Sequence, residues 1–305
     1  MGGISLAQSP SPYHRYIEQI EKKLKASPND PRLLTILGRL YEKAGEAKQA
    51  KQLFQRALRA NKRYSHAKLG LARLALSQQR ILEAERLLRG VLRRDPRHAP
   101  AWSLYAESLR LQARVVPPSQ QKRLLERSLQ AHQKAIRLAP QKAPMAYRYA
   151  VLLLGMNKIP DAHVAFLRTV ALDPQHPCYQ LGLATVERMM TPHTKQLYQR
   201  LSRWYPLCPH PLLRQAAQPV LETSVFEQAQ ILRKKKRNKR GEQILRELIR
   251  LEPKTIRGYM FLAMTLFQDQ QCTQAQAVLR ALLQHHPNHA PAQKLLKRPK
   301  THPCL

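Results

Sequence analysis

The chain has 305 residues, with 53 lysine and arginine residues against 19 aspartate and glutamate residues and a formal net charge of +34. It is 43% hydrophobic, which is enough for a continuous core, and no apolar run approaches the roughly 20 residues of a membrane-spanning helix. Because such a charge repels itself unless anions lie nearby, the candidate partners are an acidic protein, a nucleic acid or an anionic membrane surface.

The composition and the absence of known motifs argue against other classes of protein. The first residues have neither the basic nor the apolar region of a secretory signal. This predicts a cytoplasmic protein, with a nuclear location in a eukaryote and peripheral membrane association as alternatives. No glycine-rich phosphate loop, nucleophile elbow or paired acidic set is present. We therefore predict no catalytic residues, no cofactor, no small-molecule substrate and no enzymatic activity.

Helices are predicted throughout, because no segment alternates apolar and polar residues for long. Residues 1–11 are polar and are predicted to be disordered. An amphipathic helix then runs from Tyr13 to Ala26 and is expected to act as an N-terminal cap. Its predicted apolar stripe consists of Tyr16, Ile20 and Leu24.

Between Pro31 and Pro96 the same set of small residues appears twice, 34 residues apart, and the pattern can be followed along the rest of the chain. Small side chains let two helix backbones approach closely, and a large side chain fills the gap beside them. The register predicts about seven helix–turn–helix units. The first small position holds Gly38, Ala72, Ala106, Ala150, Ala184, Ala229 and Ala263. The second small position holds Ala50, Ala84, Ser128, Ala162, Thr194, Gly241 and Ala275. The large position holds Phe54, Leu88, His132, Phe166, Tyr198, Leu245 and Leu279.

These residues resemble the tetratricopeptide repeat (TPR) family over roughly residues 12–298. The first unit carries the family's pattern at Leu34, Leu37, Gly38, Tyr41, Ala50, Phe54 and Ala57. The resemblance implies an all-α, right-handed superhelical solenoid. It also implies a scaffold or adaptor that binds a protein partner in its concave groove.

Three segments depart from the plain repeat. About ten extra residues in the third unit, RVVPPSQQKR at 114–123, are predicted to form a loop, because Pro117 and Pro118 favour extended backbone. The fifth unit carries Glu187 where an apolar residue is expected. The proline-rich residues 207–218 are predicted to be irregular and to separate two arrays. The predicted arrays are 12–206, with the cap helix and five units, and 219–298, with two units and an end helix at Ala290 to Leu296, before a tail at 299–305.

The TPR resemblance also suggests which residues line the groove. In that family the first helix of each unit faces the groove. By register, the groove would be lined by Thr35, Arg39, Leu69, Arg73, Ser103, Glu107, Tyr147 and Val151, with Arg110 one turn further on. Arg39, Arg73 and Arg110 are predicted to bind carboxylates of a peptide or helix. A solvated face without a fixed ligand is the alternative.

A dense basic run falls in the turn between the helices of the sixth unit and is predicted to bind anions. It consists of Arg233, Lys234, Lys235, Lys236, Arg237, Lys239 and Arg240. A solvated, charged turn is the alternative.

A second basic feature is a stripe on the outer faces of the second helices. It holds Lys48, Lys51, Arg56, Arg59, Arg63, Arg86, Arg89, Arg93 and Arg97. The stripe supports an alternative function, a nucleic-acid-associated helical-repeat protein that binds the phosphate backbone.

Cysteines and histidines give no metal prediction. The four cysteines, Cys178, Cys208, Cys272 and Cys304, form no CxxC pair, so free thiols in a reducing compartment are expected. His285, His286 and His289 lie close together, but Pro287 interrupts the helix between them and no acid or cysteine completes a ligand set.

Overall fold

The computed structural model describes residues 13–191 and 195–296. In these ranges the chain forms sixteen α-helices and no β-strand, which confirms the all-α prediction. The helices are α1 (His14–Ala26), α2 (Pro31–Lys43), α3 (Ala47–Ala60), α4 (Ser65–Ser77), α5 (Ile81–Leu92), α6 (Ala99–Gln112), α7 (Pro118–Leu138), α8 (Ala143–Gly155), α9 (Ile159–Leu172), α10 (Pro177–Met190), α11 (Lys195–Trp204), α12 (Pro211–Lys234), α13 (Asn238–Leu251), α14 (Ile256–Gln268), α15 (Cys272–His285) and α16 (Ala290–Leu296).

The contacts divide the chain into an N-terminal unit that ends at Leu152 and a C-terminal unit that begins at Leu153. In the N-terminal unit α2 packs against α3, α4 against α5, and α6 against α7, while α1 covers α2 as the predicted cap. Helix α2 also contacts α4, and α4 contacts α6, so these three helices form a continuous layer, here called the inner layer. The predicted division into arrays at 207–218 stays a prediction.

In the C-terminal unit, helices that follow each other in the chain also pack against each other. Helix α9 packs on α10, α10 on both α11 and α12, and the contacts continue through α13, α14 and α15 to α16. The predicted end helix is therefore present as α16. The predicted N-terminal disorder and the C-terminal tail lie outside the described residues.

A buried aromatic ring explains the small residues of the first unit. Phe54 is fully buried, and a Cβ atom added to Gly38 would lie 2.7 Å from its ring carbon Cε1. A Cβ atom added to Gly70, in the next helix pair, would lie 2.5 Å from the same atom. The ring thus fills the space that two glycines leave open, because any side chain there would overlap it. The C-terminal unit repeats this contact between Phe166 and Gly182, where the added Cβ would lie 2.1 Å from Cε1.

We expect Gly182→Ala to lower the free energy of unfolding by about 1–3 kcal/mol, because the new methyl group overpacks a buried ring. Phe166→Leu should restore part of this loss in the double variant, since leucine is a natural occupant of the large position at Leu88. Urea unfolding of the two single variants and the double variant measures the coupling. Gly90→Ala is the matched control, because nothing lies within 4 Å of its added Cβ. Equal effects at Gly182 and Gly90 would contradict the overpacking account.

The predicted apolar stripe of α1 is wrong at its first residue. Tyr16 is 61% exposed, whereas its neighbour Ile17 is buried together with Leu24. Ile17, Ile20 and Leu24 are spaced by three and four residues and face α2.

The predicted loop in the third unit is wrong from Pro118 onwards. Helix α7 begins at Pro118 and has 21 residues, so most of the extra chain lengthens the second helix. Pro117 is extended, as its position before a proline requires, and Pro118 occupies the first helical turn, where its missing N–H costs nothing.

The expected irregular backbone is also wrong for residues 211–218. Helix α12 starts at Pro211, where the His210 side chain accepts a hydrogen bond from the Leu213 N–H, and it continues through Pro219. An internal proline costs about 3 kcal/mol. Burial of the side chains that α12 packs against its neighbours outweighs this cost, at about 1.5–3 kcal/mol for each large apolar side chain. The buried apolar side chains of α12 are Leu213, Ala217, Leu221, Val225, Ala229 and Leu232.

Glu187 of α10 occupies a position where the repeat expects an apolar residue. It pairs with Arg200 of α11, which explains a carboxylate at this position.

The expectation of free thiols is wrong, because Cys178 and Cys208 form a disulfide and no described cysteine is a free thiol. Helix α10 packs against both α11 and α12, and this brings the two Cα atoms to 4.8 Å although they are 30 residues apart. Cys304 lies outside the described residues.

Candidate partner-binding surfaces

The nine predicted groove residues separate into a buried set and a charged set. The buried residues are Thr35, Leu69, Ser103, Tyr147 and Val151. The charged residues are Arg39, Arg73, Glu107 and Arg110. The buried side chains are not accessible to a partner. Any direct contact with a partner would therefore be made by the charged set. Their role in binding stays a prediction.

Arg73 links two helices of the inner layer. Its Nε donates to Glu42 Oε1 at 2.9 Å and its Nη2 donates to Oε2 at 2.7 Å, so that α4 is joined to α2. Such a two-point contact fixes the plane of the guanidinium group. Arg39 is exposed and has no ion pair among the residues that the structure describes.

Arg110 forms a second two-point contact, with Glu107 on the same helix. Its Nε donates to Oε2 at 2.9 Å and its Nη2 donates to Oε1 at 2.5 Å. Burial acts to raise the pKa of the Glu107 carboxyl, but Arg110 and the nearby charges hold it below its usual value. Arg148 of α8 extends the cluster, because its Nη1 donates to Ser103 Oγ at 3.1 Å.

His132 lies beneath this cluster and is fully buried. Neither ring nitrogen has a hydrogen-bond partner among the described residues. Burial lowers the pKa of His132 to about 3, the positive charges of Arg148 and Arg110 act in the same direction, and Glu107 opposes them. The imidazole is therefore neutral at physiological pH. In register, His132 and Arg148 occupy the places that Phe54 and Gly70 fill in the first unit.

We expect His132 to destabilise the fold as the pH falls. In the unfolded chain it binds a proton near its ordinary pKa of 6.5, whereas the folded chain resists protonation down to about 3. Its contribution is complete above pH 6.5 and is lost progressively below that value, by about 2 kcal/mol between pH 7 and pH 5. His132→Leu should remove this part of the pH dependence of urea unfolding. An unchanged difference between pH 7 and pH 5 in that variant would contradict the assignment.

The basic run lies where the sequence places it. Helix α12 ends at Lys234, Lys236 has a left-handed φ of 54°, and α13 begins at Asn238. The seven cations of the run are exposed and have no ion pair within the described ranges. Anion binding there stays a prediction.

A cleft lined by α12, α13 and α14, with both aromatic and polar side chains, is not among the predicted sites. The rings of Phe226 and Phe261 stack with centroids 5.0 Å apart, and Met264 is 51% exposed beside them. Arg233, from the basic run, also lines the cleft. The register used for Thr35 and its counterparts places Phe226 and Met264 on the same helix face, so extending it to the last two units would have found them.

The outer basic stripe is a surface feature, because eight of its nine residues are exposed. Arg89 pairs with Glu85 at 2.7 Å, and Arg56 donates to the Pro28 carbonyl at 3.3 Å.

Carboxylates in the described ranges are largely engaged inside the chain. At least nine of them pair with arginine, and among them Arg188 of α10 binds both oxygens of Glu227 of α12 at 2.8 Å. No lysine of the described residues takes part in an ion pair. The lysines therefore leave the surface with uncompensated positive charge. None of the described helices has the length and apolar composition needed to cross a membrane.

Family comparisons agree with the helix pairing. One tetratricopeptide-repeat family model matches residues 42–107, and a second matches residues 260–289. Both matched segments are thus similar to tetratricopeptide repeats. No curated protein matches its sequence.

Solved structures support the same fold for this chain. A TPR protein of Thermus thermophilus is 22% identical, with a TM-score of 0.53 over 63% of this chain and 98% of its own. The pilF protein of Pseudomonas aeruginosa is 20% identical, with a TM-score of 0.55 over 77% of this chain and 97% of its own. The Cut9–Hcn1 structure of the APC/C is 16% identical, with a TM-score of 0.56 over 94% of this chain and 52% of its own. These likenesses show that the chain has the TPR solenoid fold.

Proposed function

We propose that this TPR protein is a scaffold that binds an acidic segment of a partner protein on its inner layer. One observation carries the proposal, namely that cations outnumber carboxylates on that surface. The cations are Arg39, Arg73 and Arg110, and the carboxylates are Glu42 and Glu107; Arg148 of the neighbouring α8 adds a fourth cation beside Ser103. An acidic segment complements the excess charge.

The paired arginines support this binding by being held in position. Glu42 and Glu107 fix the guanidinium planes of Arg73 and Arg110, so less side-chain entropy is lost when a partner carboxylate approaches. Arg39 is exposed and makes the first contact with the partner. The cationic surface elsewhere adds long-range attraction, which increases the association rate at low salt.

The test is the double charge reversal Arg39→Glu with Arg73→Glu. We expect it to reduce capture of the partner from nuclease-treated extract by at least about tenfold, which corresponds to about 1.4 kcal/mol. The matched control is Arg59→Glu with Arg93→Glu, which changes the net charge equally on the outer stripe. Circular dichroism of both variants checks that the helices are retained.

Each result of this comparison has a distinct meaning. Loss of capture only in the inner-layer variant supports the proposal. Equal capture by the inner-layer variant and the wild type overturns it. Loss only in the outer variant also overturns it, and tight, strongly salt-dependent binding of RNA or DNA at physiological salt would then favour the nucleic-acid function.

The predicted cytoplasmic location is part of the same proposal. The expectation of free thiols agrees with such a location, whereas Cys178 and Cys208 are paired. Cytosolic thiol systems keep most cysteines reduced. A cytoplasmic location therefore requires the chain to keep its fold with both thiols reduced.

A further inference from the structure

A second cleft, with mainly apolar walls, lies where α4 joins α5 and α6 joins α7, at the ends of two helices of the inner layer. Its volume is about 630 Å³, within the roughly 300–1,000 Å³ of ligand pockets. Apolar side chains from both junctions, some in the turns and some at the helix ends, line it. They are Ile81, Leu82, Leu111, Val115 and Val116.

Leu82 is an unusual residue for a solvent-exposed position at a helix start. It is 72% exposed at the start of α5. The equivalent positions in the other units hold no large apolar side chain. These residues are Lys48, Glu126, Pro160, Pro192, Lys239 and Thr273. Packing inside the unit does not account for Leu82, because most of its surface meets water.

Val115 also lines the cleft and is 75% exposed. The next residue, Val116, lines it too and packs on the core. Helix α7 then begins at Pro118, and its first residues up to Arg123 are exposed. The first of the extra residues in the third unit thus contribute to the cleft. Large exposed apolar side chains that line one cleft are typical of an interaction surface.

The charges around the cleft identify the kind of occupant. Arg80 is already paired with Glu83, its Nη1 donating at 2.6 Å. Arg114, in the lining, is exposed and has no ion pair within the described part of the chain, so it leaves an uncompensated positive charge at the cleft. A second copy of this chain would bring more positive charge to this rim, since each copy carries a net charge of +34.

We infer that this cleft binds an acidic amphipathic helix of a partner protein, with its apolar side chains against Leu82 and Val115 and a carboxylate beside Arg114. This inference rests on the proposed scaffold function. It adds a second contact surface, at the helix ends rather than at Arg39 and Arg73, that sets which acidic segment is selected.

The test uses a fluorescein-labelled helical peptide of about 18 residues, with leucine at i, i+3, i+4 and i+7 and glutamate elsewhere. Leu82→Ser with Val115→Ser should weaken its binding to the full chain by about tenfold or more, as measured by fluorescence anisotropy. Val164→Ser is the matched control, because Val164 is 67% exposed and lies in the C-terminal unit. This control should leave the dissociation constant unchanged.

Methyl NMR of the full chain provides the second readout. Peptide binding should shift the methyl signals of Leu82 and Val115 and leave those of Val164 in place. A peptide of the same composition with its leucines scrambled, and one with lysine in place of glutamate, should not cause these shifts.

Different results would contradict the cleft assignment and the proposed binding on the inner layer. If Arg39→Glu with Arg73→Glu removes peptide binding and the cleft variant does not, the cleft assignment is overturned while the scaffold function stands. Absence of binding, equal binding of the scrambled peptide, or shifts spread equally to Val164 also overturn the assignment.

Discussion

Replacing Phe54 by alanine should lower the free energy of unfolding of the N-terminal unit by about 3–5 kcal/mol. The ring is fully buried, and both Gly38 and Gly70 lie against it. Neither glycine has a side chain that can move into the vacated space. The cavity therefore stays open, and the cost falls at the upper end for a large-to-small substitution.

Urea unfolding followed by circular dichroism measures this loss. Phe54→Leu is the matched control and should cost clearly less, because leucine occupies the same register position at Leu88, Leu245 and Leu279. A loss below about 1 kcal/mol for the alanine variant would show that the interface relaxes around the missing ring. The repeated small and large positions would then not be what joins the helix pairs.

The register predicts the helix pairs because its cause is local and repeats. A glycine at 38 and a phenylalanine at 54 restrict each other through one contact, and the same arrangement recurs at Phe166 and Gly182. The proline-rich segments were mispredicted for the opposite reason. Backbone preference alone predicts irregular chain at Pro118 and Pro211, whereas each proline fits the first turn of a helix. Burial of α12 then outweighs the cost of Pro219 inside that helix.

The binding surfaces could be predicted only in part. Periodicity places Arg73 and Arg110 on the first helices, but it gives no rotamer, so their pairing with Glu42 and Glu107 was not foreseen. The cleft lined by Leu82 and Val115 depends on how the α6–α7 turn meets the α4–α5 turn. The pattern of residues along a single helix cannot predict this contact between two turns.

The disulfide shows the same limit, since Cys178 and Cys208 are 30 residues apart and share no motif. We expect its removal by Cys178→Ala with Cys208→Ala to lower the free energy of unfolding by about 3–4 kcal/mol, because a loop of this length is no longer closed in the unfolded chain. Cys208 is fully buried, so alanine is chosen to avoid placing an unpaired hydroxyl group in the core.

The measurement compares urea unfolding of the wild type and the double variant, each with and without a reducing agent. Reductant should destabilise the wild type by a similar amount and have much less effect on the double variant. Limited proteolysis should then cut the reduced wild type first between Trp204 and Pro211, because the disulfide holds this connection between α11 and α12 onto α10. If reductant leaves the wild type's stability and cleavage pattern unchanged, the bond contributes nothing to the fold. The chain then meets the structural requirement for a cytoplasmic location.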